Sequence, residues 1–407
     1  MRSKLSALAM ALSLSAALAG PTAATPVAAQ STAAFQSVLQ QIGQQALAAG
    51  VSQAVIDQNL GGLTPDPSLL VEGTRQPEFS RTLQAYVADA ASPGRAARGR
   101  QFAAQWAGDI AAAEARTGVA GSMLLALWAM ETDFGRDQGS RDVLRSLATL
   151  AYARPQTPSF RDEVVAALVM IQRGVARERL RGSWAGAMGN PQFLPSAYLK
   201  YALSLEGRQN PDIWSSVPDS LASIGSFLRQ SGWTPGAPAA LEVMLPAGFD
   251  FPVLRQGAAA WARAGLRPAD GTAMPASGEA MLFLPSGAGG PAFLLFANFW
   301  VLKAYNFSDS YAMAASILAD RIAGRPGVRA PWPKGETILP QQDRERLQRL
   351  LVALGDYKGV VDGRFGPVTR EAIHAFQRRV GYAPSDGYPS AALLARAEAE
   401  AKRAAAN

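Results

Sequence analysis

A single glutamate follows a long apolar stretch of the sequence. Residues 125–135 read LALWAMETDFG, and the residues before Glu131 are apolar on nearly every side of a helix, which predicts a buried helix. Glu131 would be partly desolvated and close to the negative end of the helix dipole, since Gly135 looks like the helix stop. Both effects should raise the pKa of its carboxyl. Such a group can protonate a leaving group near neutral pH as a general acid.

A glycine-rich loop further along carries side chains that suit a sugar ligand. Residues 182–195 read GSWAGAMGNPQFLP, and glycines let backbone approach a ligand closely. Ser183 and Gln192 can hydrogen-bond sugar hydroxyl or acetamido groups, while Trp184 and Phe193 can offer ring faces. The alternative is a tight turn that leads into the next helix, because glycine-rich loops are common.

Helices predominate among the elements that must position these residues. Residues 141–152 and 160–173 carry apolar side chains at helical spacing. Between residues 236 and 291 the sequence becomes rich in glycine and proline, and two short apolar runs flank residues 287–290, which predicts a hairpin. We therefore expect a mainly α protein with a small β-containing insertion.

Composition restricts the chemistry that the chain can perform. With 407 residues, 48% of them hydrophobic, it can build two or three domains. Cysteine is absent and His374 is the one histidine. These facts exclude disulfides, thiolate chemistry and multi-histidine zinc sites, and they exclude a Ser-His-Asp triad outside the C-terminal region. The remaining groups are carboxylates, hydroxyls and amides, and no cofactor is expected.

The first residues have the pattern of a secretory signal peptide. Arg2 and Lys4 precede an apolar run of residues 5–18, which small residues follow. We assign the signal peptide to residues 1–29, with cleavage anywhere between Ala19 and Gln30, and we expect its removal to leave a periplasmic protein with no lipid anchor and no integral membrane segment. Without Arg2 and Lys4 the net charge of +7 becomes about +5, a mild bias toward anionic polymers. No arginine-rich run suggests nucleic acid.

Four separated motifs occur in order along the chain. They are Glu131-Thr132-x-Phe134-Gly135, the loop of residues 182–195, Asp212-Ile213-Trp214 with Gly232-Trp233, and Asn298-Phe299 with Tyr305-Asn306-x-Ser308 and Tyr311-Ala312. In order and spacing they resemble the membrane-bound lytic transglycosylase B family, over roughly residues 35–322. Several motifs that occur in the same order indicate a family more specifically than any one motif alone. The resemblance implies a lysozyme-like helical domain that cleaves the bond between N-acetylmuramic acid and N-acetylglucosamine in peptidoglycan.

The resemblance also implies a mechanism that needs one carboxylate. Glu131 would protonate the glycosidic oxygen and then take the proton of the muramoyl C6 hydroxyl, as that oxygen closes onto C1 and leaves a 1,6-anhydro sugar. Hydrolytic glycosidases generally pair two carboxylates. Asp133 is the nearest second candidate, but a spacing of two residues along a helix should turn it about 200° away from Glu131.

A set of substrate-binding residues is implied in the same way. It comprises Ser183, Met188, Gly189, Gln192, Tyr305, Asn306 and Tyr311. The first four would form the cleavage point and the floor beside Glu131, and Tyr305 and Asn306 would close the cleft. The alternative for Tyr305 and Tyr311 is packing between helices.

One departure from the family concerns metals. Some members bind calcium in an acidic loop just before the motif that begins at Asp212. Here residues 204–212 read SLEGRQNPD, and Arg208 stands at an acidic position. Because hard cations need oxygen ligands, we predict no metal site.

The C-terminal segment resembles the three-helix peptidoglycan-binding domain of wall enzymes. Its motifs are Leu347-Gln348-x-x-Leu351, Gly359, Asp362-Gly363-x-Phe365-Gly366-Pro367-x-Thr369, Ala372-Ile373 and Phe376-Gln377. The expected domains are a catalytic domain at 30–324, a linker at 325–338 and the binding domain at 339–400. His374 should be a surface or half-buried structural residue.

The leading hypothesis is a monomeric lytic transglycosylase that its C-terminal domain tethers to peptidoglycan glycan strands and stem peptides. Cell-wall synthesis or division proteins are candidate partners. One alternative is a non-catalytic wall-binding or scaffold protein, against which the intact Glu131 argues. Another is a hydrolytic muramidase, which would need a second carboxylate to activate water.

Overall fold

The computed structural model describes residues 32–71, 81–157 and 159–406; the predicted signal peptide lies outside them. The described residues form two compact units. One comprises residues 32–71 and Arg98–Gln230, and we call it the helical unit. The other comprises residues 81–97 and 231–406, and we call it the sheet unit.

Helices are the main elements of both units. In chain order they are α1 (Thr32–Ala48), α2 (Gln53–Leu60), α3 (Ser68–Val71), α4 (Leu83–Ala90), α5 (Pro93–Gln105), α6 (Ala107–Thr117), α7 (Gly121–Thr132), α8 (Val143–Ala153), α9 (Ser159–Gln172), α10 (Pro195–Tyr201), α11 (Val217–Gln230), α12 (Ala258–Arg263), α13 (Ala297–Tyr305), α14 (Asp309–Ile322), α15 (Gln341–Ala353), α16 (Pro367–Arg379) and α17 (Ala391–Ala406). The predicted mainly α fold class is confirmed.

Strands are short and few among the described residues. They are β1 (Arg141–Asp142), β2 (Arg181–Gly182), β3 (Ala240–Met244), β4 (Arg255–Gly257), β5 (Arg267–Pro268), β6 (Glu279–Phe283) and β7 (Ala292–Leu295). β1 and β2 pair antiparallel in the helical unit, and the other five form an antiparallel sheet in the order β4-β6-β7-β3-β5. The predicted hairpin is the β6–β7 pair, in which Leu282 faces Leu294 across the ladder.

The apolar helix that precedes Glu131 is α7, and it lies in the core of the helical unit. Its residues from Met123 to Ala129 are buried, and it packs against α6 and α11. Gly118, with a φ of 72°, separates α6 from α7. No helix among the described residues is by itself long and apolar enough to cross a membrane; α6 and α7 together pass that test, by length and composition only, as a pair bent by 105°.

The C-terminal helices α15, α16 and α17 enclose a small core of their own. Its fully buried members are Leu347, Leu351, Ile373, Phe376, Leu393 and Ala397. Such a core can hold three short helices together, because each buried apolar side chain contributes about 1.5–3 kcal/mol.

This three-helix domain packs directly on the sheet within the sheet unit. Arg370 Nη1 donates to the carbonyl of Leu284 at 3.0 Å, and Asp386 accepts from the backbone N–H of Ala288 at 3.0 Å. His374 Nε2 lies 2.8 Å from the carbonyl oxygen of Phe251, and its ring is half-buried. The β-containing insertion therefore supports the C-terminal domain, a role that the sequence did not reveal.

Candidate active site

Glu131 lies in the last turn of α7 and is partly exposed. Trp128, one turn before Glu131, belongs to an aromatic cluster with Phe102 and Phe134. The Trp128 ring lies 5.1 Å from that of Phe102 and 5.4 Å, edge on, from that of Phe134. Glu131 is thus a partly exposed carboxylate one helical turn after a buried member of this aromatic cluster.

The chain leaves α7 earlier than Gly135, the predicted stop. Asp133, Phe134 and Gly135 have φ values of 49°, 63° and 83°, so the left-handed turn begins directly after Thr132. The hydroxyl of Thr132 accepts a 3.0 Å hydrogen bond from the N–H of Gly135 and thereby closes this turn. The predicted stop was two residues too late, because the non-glycine residues Asp133 and Phe134 already adopt the left-handed conformation.

Asp133 is held by two arginines. Its carboxylate binds the guanidinium of Arg98 and lies 3.2 Å from that of Arg136. The helical argument that placed it about 200° from Glu131 does not apply, since Asp133 is the residue that caps α7 rather than a member of it. The Asp133 carboxylate is therefore already engaged by two guanidinium groups.

The glycine-rich loop is stabilised by hydrogen bonds within itself. The N–H of Ser183 donates to the carbonyl of Ala187 at 2.8 Å, and Met188 and Phe193 exchange backbone hydrogen bonds of 2.8 and 3.0 Å. The hydroxyl of Ser183 accepts from the N–H of Ala187 at 3.0 Å. The Ser183 hydroxyl thus supports the turn. The residue itself is partly exposed.

Asn190 connects this loop to α7, and the sequence reasoning did not select it as a site residue. Its Oδ1 accepts from Trp128 Nε1 at 2.9 Å and from Gln138 Nε2 at 3.2 Å. Its Nδ2 donates to the hydroxyl of Ser220 at 3.1 Å. A buried amide can be satisfied only by partners in fixed places, so Asn190 fixes the loop relative to the helix that carries Glu131.

Gly189 and Gln192 have backbones that ordinary side chains would strain. Gly189 has a φ of 63°, and a Cβ there would lie 2.6 Å from the carbonyl oxygen of Ile213; only glycine fits. Gln192 has a φ of 50°, and its amide nitrogen donates to the carbonyls of Gly189 at 2.9 Å and Gln138 at 3.1 Å. The remaining polar atom of this amide is its oxygen, which can accept a ligand hydrogen bond.

Three of the residues predicted at or near the substrate site have buried side chains. Met188 is fully buried, and Phe193 is 3% exposed and packs at 6.0 Å, ring to ring, against Phe227. Tyr311 is also 3% exposed. Side chains buried in this way pack beneath the protein surface and expose no face to a ligand, because an apolar side chain is stabilised by leaving water. Trp184 remains partly exposed.

Tyr305 and Asn306 belong to the sheet unit, where α13 ends. Tyr305 is the last residue of α13, and Asn306 follows in extended conformation. The Asn306 Oδ1 accepts from the N–H of Ser308 at 3.1 Å, and the Ser308 hydroxyl in turn caps α14. Both Tyr305 and Asn306 are partly exposed, so their side chains are accessible to a ligand on their own unit.

A buried carboxyl supports the helix that follows the loop. Glu163, 1% exposed on α9, accepts from the N–H of Ser196 at 2.9 Å and from its hydroxyl at 2.7 Å. Burial raises the pKa of Glu163 to about 7, although the Ser196 hydrogen bonds oppose it. The first turn of α10, directly after the loop, is thus held by a carboxyl that titrates near neutrality.

The loop that corresponds to the calcium-binding loop of some family members carries an arginine, Arg208, whose guanidinium binds two carboxylates of this region. Arg208 Nη1 lies 2.9 Å from Oδ2 of buried Asp219, and the same guanidinium binds Glu206. Burial raises the pKa of nearby Asp212, but hydrogen bonds from Ser215 and Arg179 outweigh it and lower that pKa to about 2. Among the described residues, no group of three or more histidine, aspartate or glutamate side chains could hold a metal ion.

Comparison with known proteins agrees with this arrangement. Residues 34–320 match the family described as Transglycosylase SLT domain, and residues 340–396 match one described as a peptidoglycan binding domain. The Membrane-bound lytic murein transglycosylase B of Escherichia coli (strain K12) is 30% identical over 215 residues, which are 51% of this chain and 58% of that protein. The matched part therefore spans somewhat more than half the length of this curated relative.

Solved structures extend the comparison to nearly the whole chain. SltB3 of Pseudomonas aeruginosa in complex with NAG-anhNAM-pentapeptide has a TM-score of 0.81 and 38% identity, covering 89% of this chain and 99% of that one. The lytic transglycosylase Slt35 of Escherichia coli in complex with calcium has a TM-score of 0.59 and 26% identity, covering 70% and 92%.

The fold is that of a lysozyme-like transglycosylase with an added helical binding domain. This chain belongs to the Transglycosylase SLT domain family, which matches more than half of its residues. The family that the sequence motifs predicted is confirmed.

Proposed function

We propose that this protein is a lytic transglycosylase that cleaves the β-1,4 bond between N-acetylmuramic acid and N-acetylglucosamine in peptidoglycan and leaves 1,6-anhydromuramoyl ends. The observation that carries the proposal is the placement of Glu131 at the exposed end of buried α7, beside a loop that Asn190 ties to the same helix. Membership of the SLT family and the wall-fragment complex of the P. aeruginosa relative support it.

Glu131 acts first as acid and then as base. It gives its proton to the glycosidic oxygen as the bond to C1 breaks. The carboxylate then takes the proton of the C6 hydroxyl while that oxygen bonds to C1, so no water enters the product. The ion pairs of Asp133 with Arg98 and Arg136 support this route over hydrolysis, because hydrolysis needs a second available carboxylate.

The other assigned residues bind or shape the substrate site. The partly exposed Ser183, Gln192, Tyr305 and Asn306 contact the glycan directly. Gly189, Met188 and Tyr311 act through the backbone or from the core. Sugar recognition of this kind depends on hydroxyl and amide groups held in fixed positions.

The C-terminal domain holds the enzyme on its insoluble substrate. The proposed organisation is a signal peptide at 1–29, a catalytic domain at 30–324, a linker at 325–338 and a peptidoglycan-binding domain at 339–400. The match of residues 340–396 to a peptidoglycan binding domain supports it. Residues 1–29 would direct the protein to the periplasm, where this substrate lies, and the absence of cysteine argues against a lipid anchor. Attachment raises the local substrate concentration without changing the chemistry.

Mass spectrometry of the fragments released from purified peptidoglycan tests the proposal. The unmodified protein should release anhydromuramoyl ends, and Glu131→Gln should lower that release by a factor of about 10³ or more, since it removes the acid and base together. Glu178→Gln, a change of the same kind at an exposed glutamate of the helical unit, should retain full activity. Reducing ends would instead identify a hydrolase, and no release at all would favour a wall-binding protein.

A further inference from the structure

A cavity of about 500 Å³ lies within the sheet unit. Tyr305 and Asn306 are not among the residues that line it. Most of its wall comes from three parts of the chain, namely the β6–β7 hairpin, Lys303 with residues 307–310 where α13 ends and α14 begins, and the C-terminal domain; residues 81 and 83 at the start of α4 and residues 336–338 before α15 complete it. Their principal residues are Phe283, Phe307, Asp309, Tyr357, Arg364 and Arg370. The cavity is therefore complete only when the C-terminal domain sits on the sheet, and we call it the composite cavity.

The rim of the composite cavity is unusually apolar for a protein surface. Phe307, Val360 and Val368 line it and are 42%, 76% and 65% exposed. Exposed large apolar side chains that gather in one place indicate a binding surface. Lys303 Nζ lies 5.0 Å from the Phe307 ring centre and the Arg364 guanidinium 5.4 Å from it; cations at such distances are attracted to the ring.

A buried arginine in the wall has an unused donor. Arg370 is 9% exposed, and its guanidinium lies 4.5 Å from the centre of the Phe283 ring. Its Nη1 donates to Leu284, but its Nε has no hydrogen-bond partner. Because this Nε is itself buried, Arg370 contributes its positive charge to the wall rather than that donor.

The charges of the wall favour an anionic ligand. Five cationic residues line the cavity, namely Arg81, Lys303, Arg344, Arg364 and Arg370, against the three carboxylates of Asp309, Glu336 and Asp362. With the apolar rim, this selects a ligand that combines carboxylates with small apolar groups.

We infer that the composite cavity binds the carboxylate-bearing stem peptide of peptidoglycan, using residues of the catalytic region and of the C-terminal domain together. The inference rests on the proposed function, and it assigns the peptide, rather than the glycan, to this site. Phe307 of the rim directly follows Tyr305-Asn306 in sequence, and adjacent Cα atoms are about 3.8 Å apart. A muramoyl residue held by Asn306 therefore carries its peptide branch close to the cavity rim.

Calorimetric titration of the full-length mature protein with an N-acetylated stem pentapeptide tests this inference. Arg364→Glu should weaken binding at least about tenfold, because it places a carboxylate opposite those of the ligand. Phe307→Ala, which removes the exposed ring without changing charge, should also weaken it. The control is Arg403→Glu, which makes the same charge change on an exposed arginine of α17 outside the cavity wall and should leave the dissociation constant within about twofold.

The ligand provides a second control. The same pentapeptide with its carboxyl groups amidated should bind the unmodified protein much more weakly. Equal binding of both peptides, or equal loss in Arg364→Glu and Arg403→Glu, would overturn the inference. Binding needs no turnover, so the two proposals fail separately: peptide binding without anhydro products contradicts only the proposed function, and anhydro products without peptide binding contradict only this inference.

Discussion

Trp128 Nε1 donates a 2.9 Å hydrogen bond to Asn190 Oδ1, and the two side chains are 2% and 3% exposed. The bond joins α7 to the glycine-rich loop across 62 residues of sequence. Glu131 lies three residues after Trp128, close to one helical turn away. The position of the proposed acid relative to the loop therefore depends on a buried contact between two residues that need not touch the substrate.

Asn190→Ala should lower both stability and activity. It leaves the N–H of Trp128 without its acceptor and removes the donor to the hydroxyl of Ser220, which should lower the free energy of unfolding by about 2–4 kcal/mol. Urea denaturation measures this change, and release of anhydro products measures activity well below the denaturation midpoint.

The matched control is Asn59→Ala, whose amide donates to Val55 within α2. It should cost about 1 kcal/mol or less and leave activity unchanged. An Asn190→Ala protein as stable and active as this control would show that Asn190 does not position the loop.

The local sequence was enough to predict α7 and the hairpin, because apolar periodicity and turn residues act over a few positions. The three C-terminal helices were predicted from the resemblance to the peptidoglycan-binding domain. Contacts between distant segments were not predictable in this way. Asp133 leaves the helical path where Arg98, 35 residues earlier, binds it, and no local pattern distinguishes Asn190 from an ordinary turn asparagine. Burial of Met188 and Tyr311 likewise depends on segments that meet only in the folded chain.

Asp386→Ala should loosen the C-terminal domain from the hairpin. The Asp386 carboxylate, 7% exposed, accepts from Ala288 of the hairpin turn and from Gln377 of α16. Its removal leaves both donors buried without an acceptor, at a cost of about 2–3 kcal/mol. In this variant, amide hydrogen exchange should accelerate more in residues 284–292 than in α7, relative to the unmodified protein.

Asp343→Ala provides the comparison, since Asp343 lies in the first turn of α15 in the same domain. We expect it to leave exchange of the hairpin unchanged. Equal acceleration in both variants would mean that general loosening, rather than the Asp386 contact, controls the hairpin.

Calcium should not stabilise this protein. The guanidinium of Arg208 already lies between the carboxylates of Asp219 and Glu206, and a second cation there would be repelled. The melting temperature should be the same in millimolar calcium and in chelator. Arg208→Ala should lower it in both conditions, since buried Asp219 loses its ion pair. A rise with calcium in the unmodified protein would contradict the prediction of no metal site.

Glu163 should make stability depend on pH around neutrality. Its pKa is raised by burial from an ordinary 4.5 to about 7 in the folded protein. Below pH 4.5 both the folded and unfolded states bind the proton, so there is no effect. Between pH 4.5 and 7 the unfolded state releases the proton while the folded state retains it, so the free energy of unfolding falls as pH rises. Above pH 7 the free energy of unfolding falls no further through this group, and the total decrease is about 3 kcal/mol.

Glu163→Gln removes this titration while keeping an oxygen that can accept from Ser196. Urea denaturation of both proteins at pH 5 and pH 8 isolates the effect, because other titrations cancel in the difference between them. The variant should gain about 2–3 kcal/mol relative to the unmodified protein between these pH values. A stability difference that does not change with pH would mean that Glu163 does not titrate in this range.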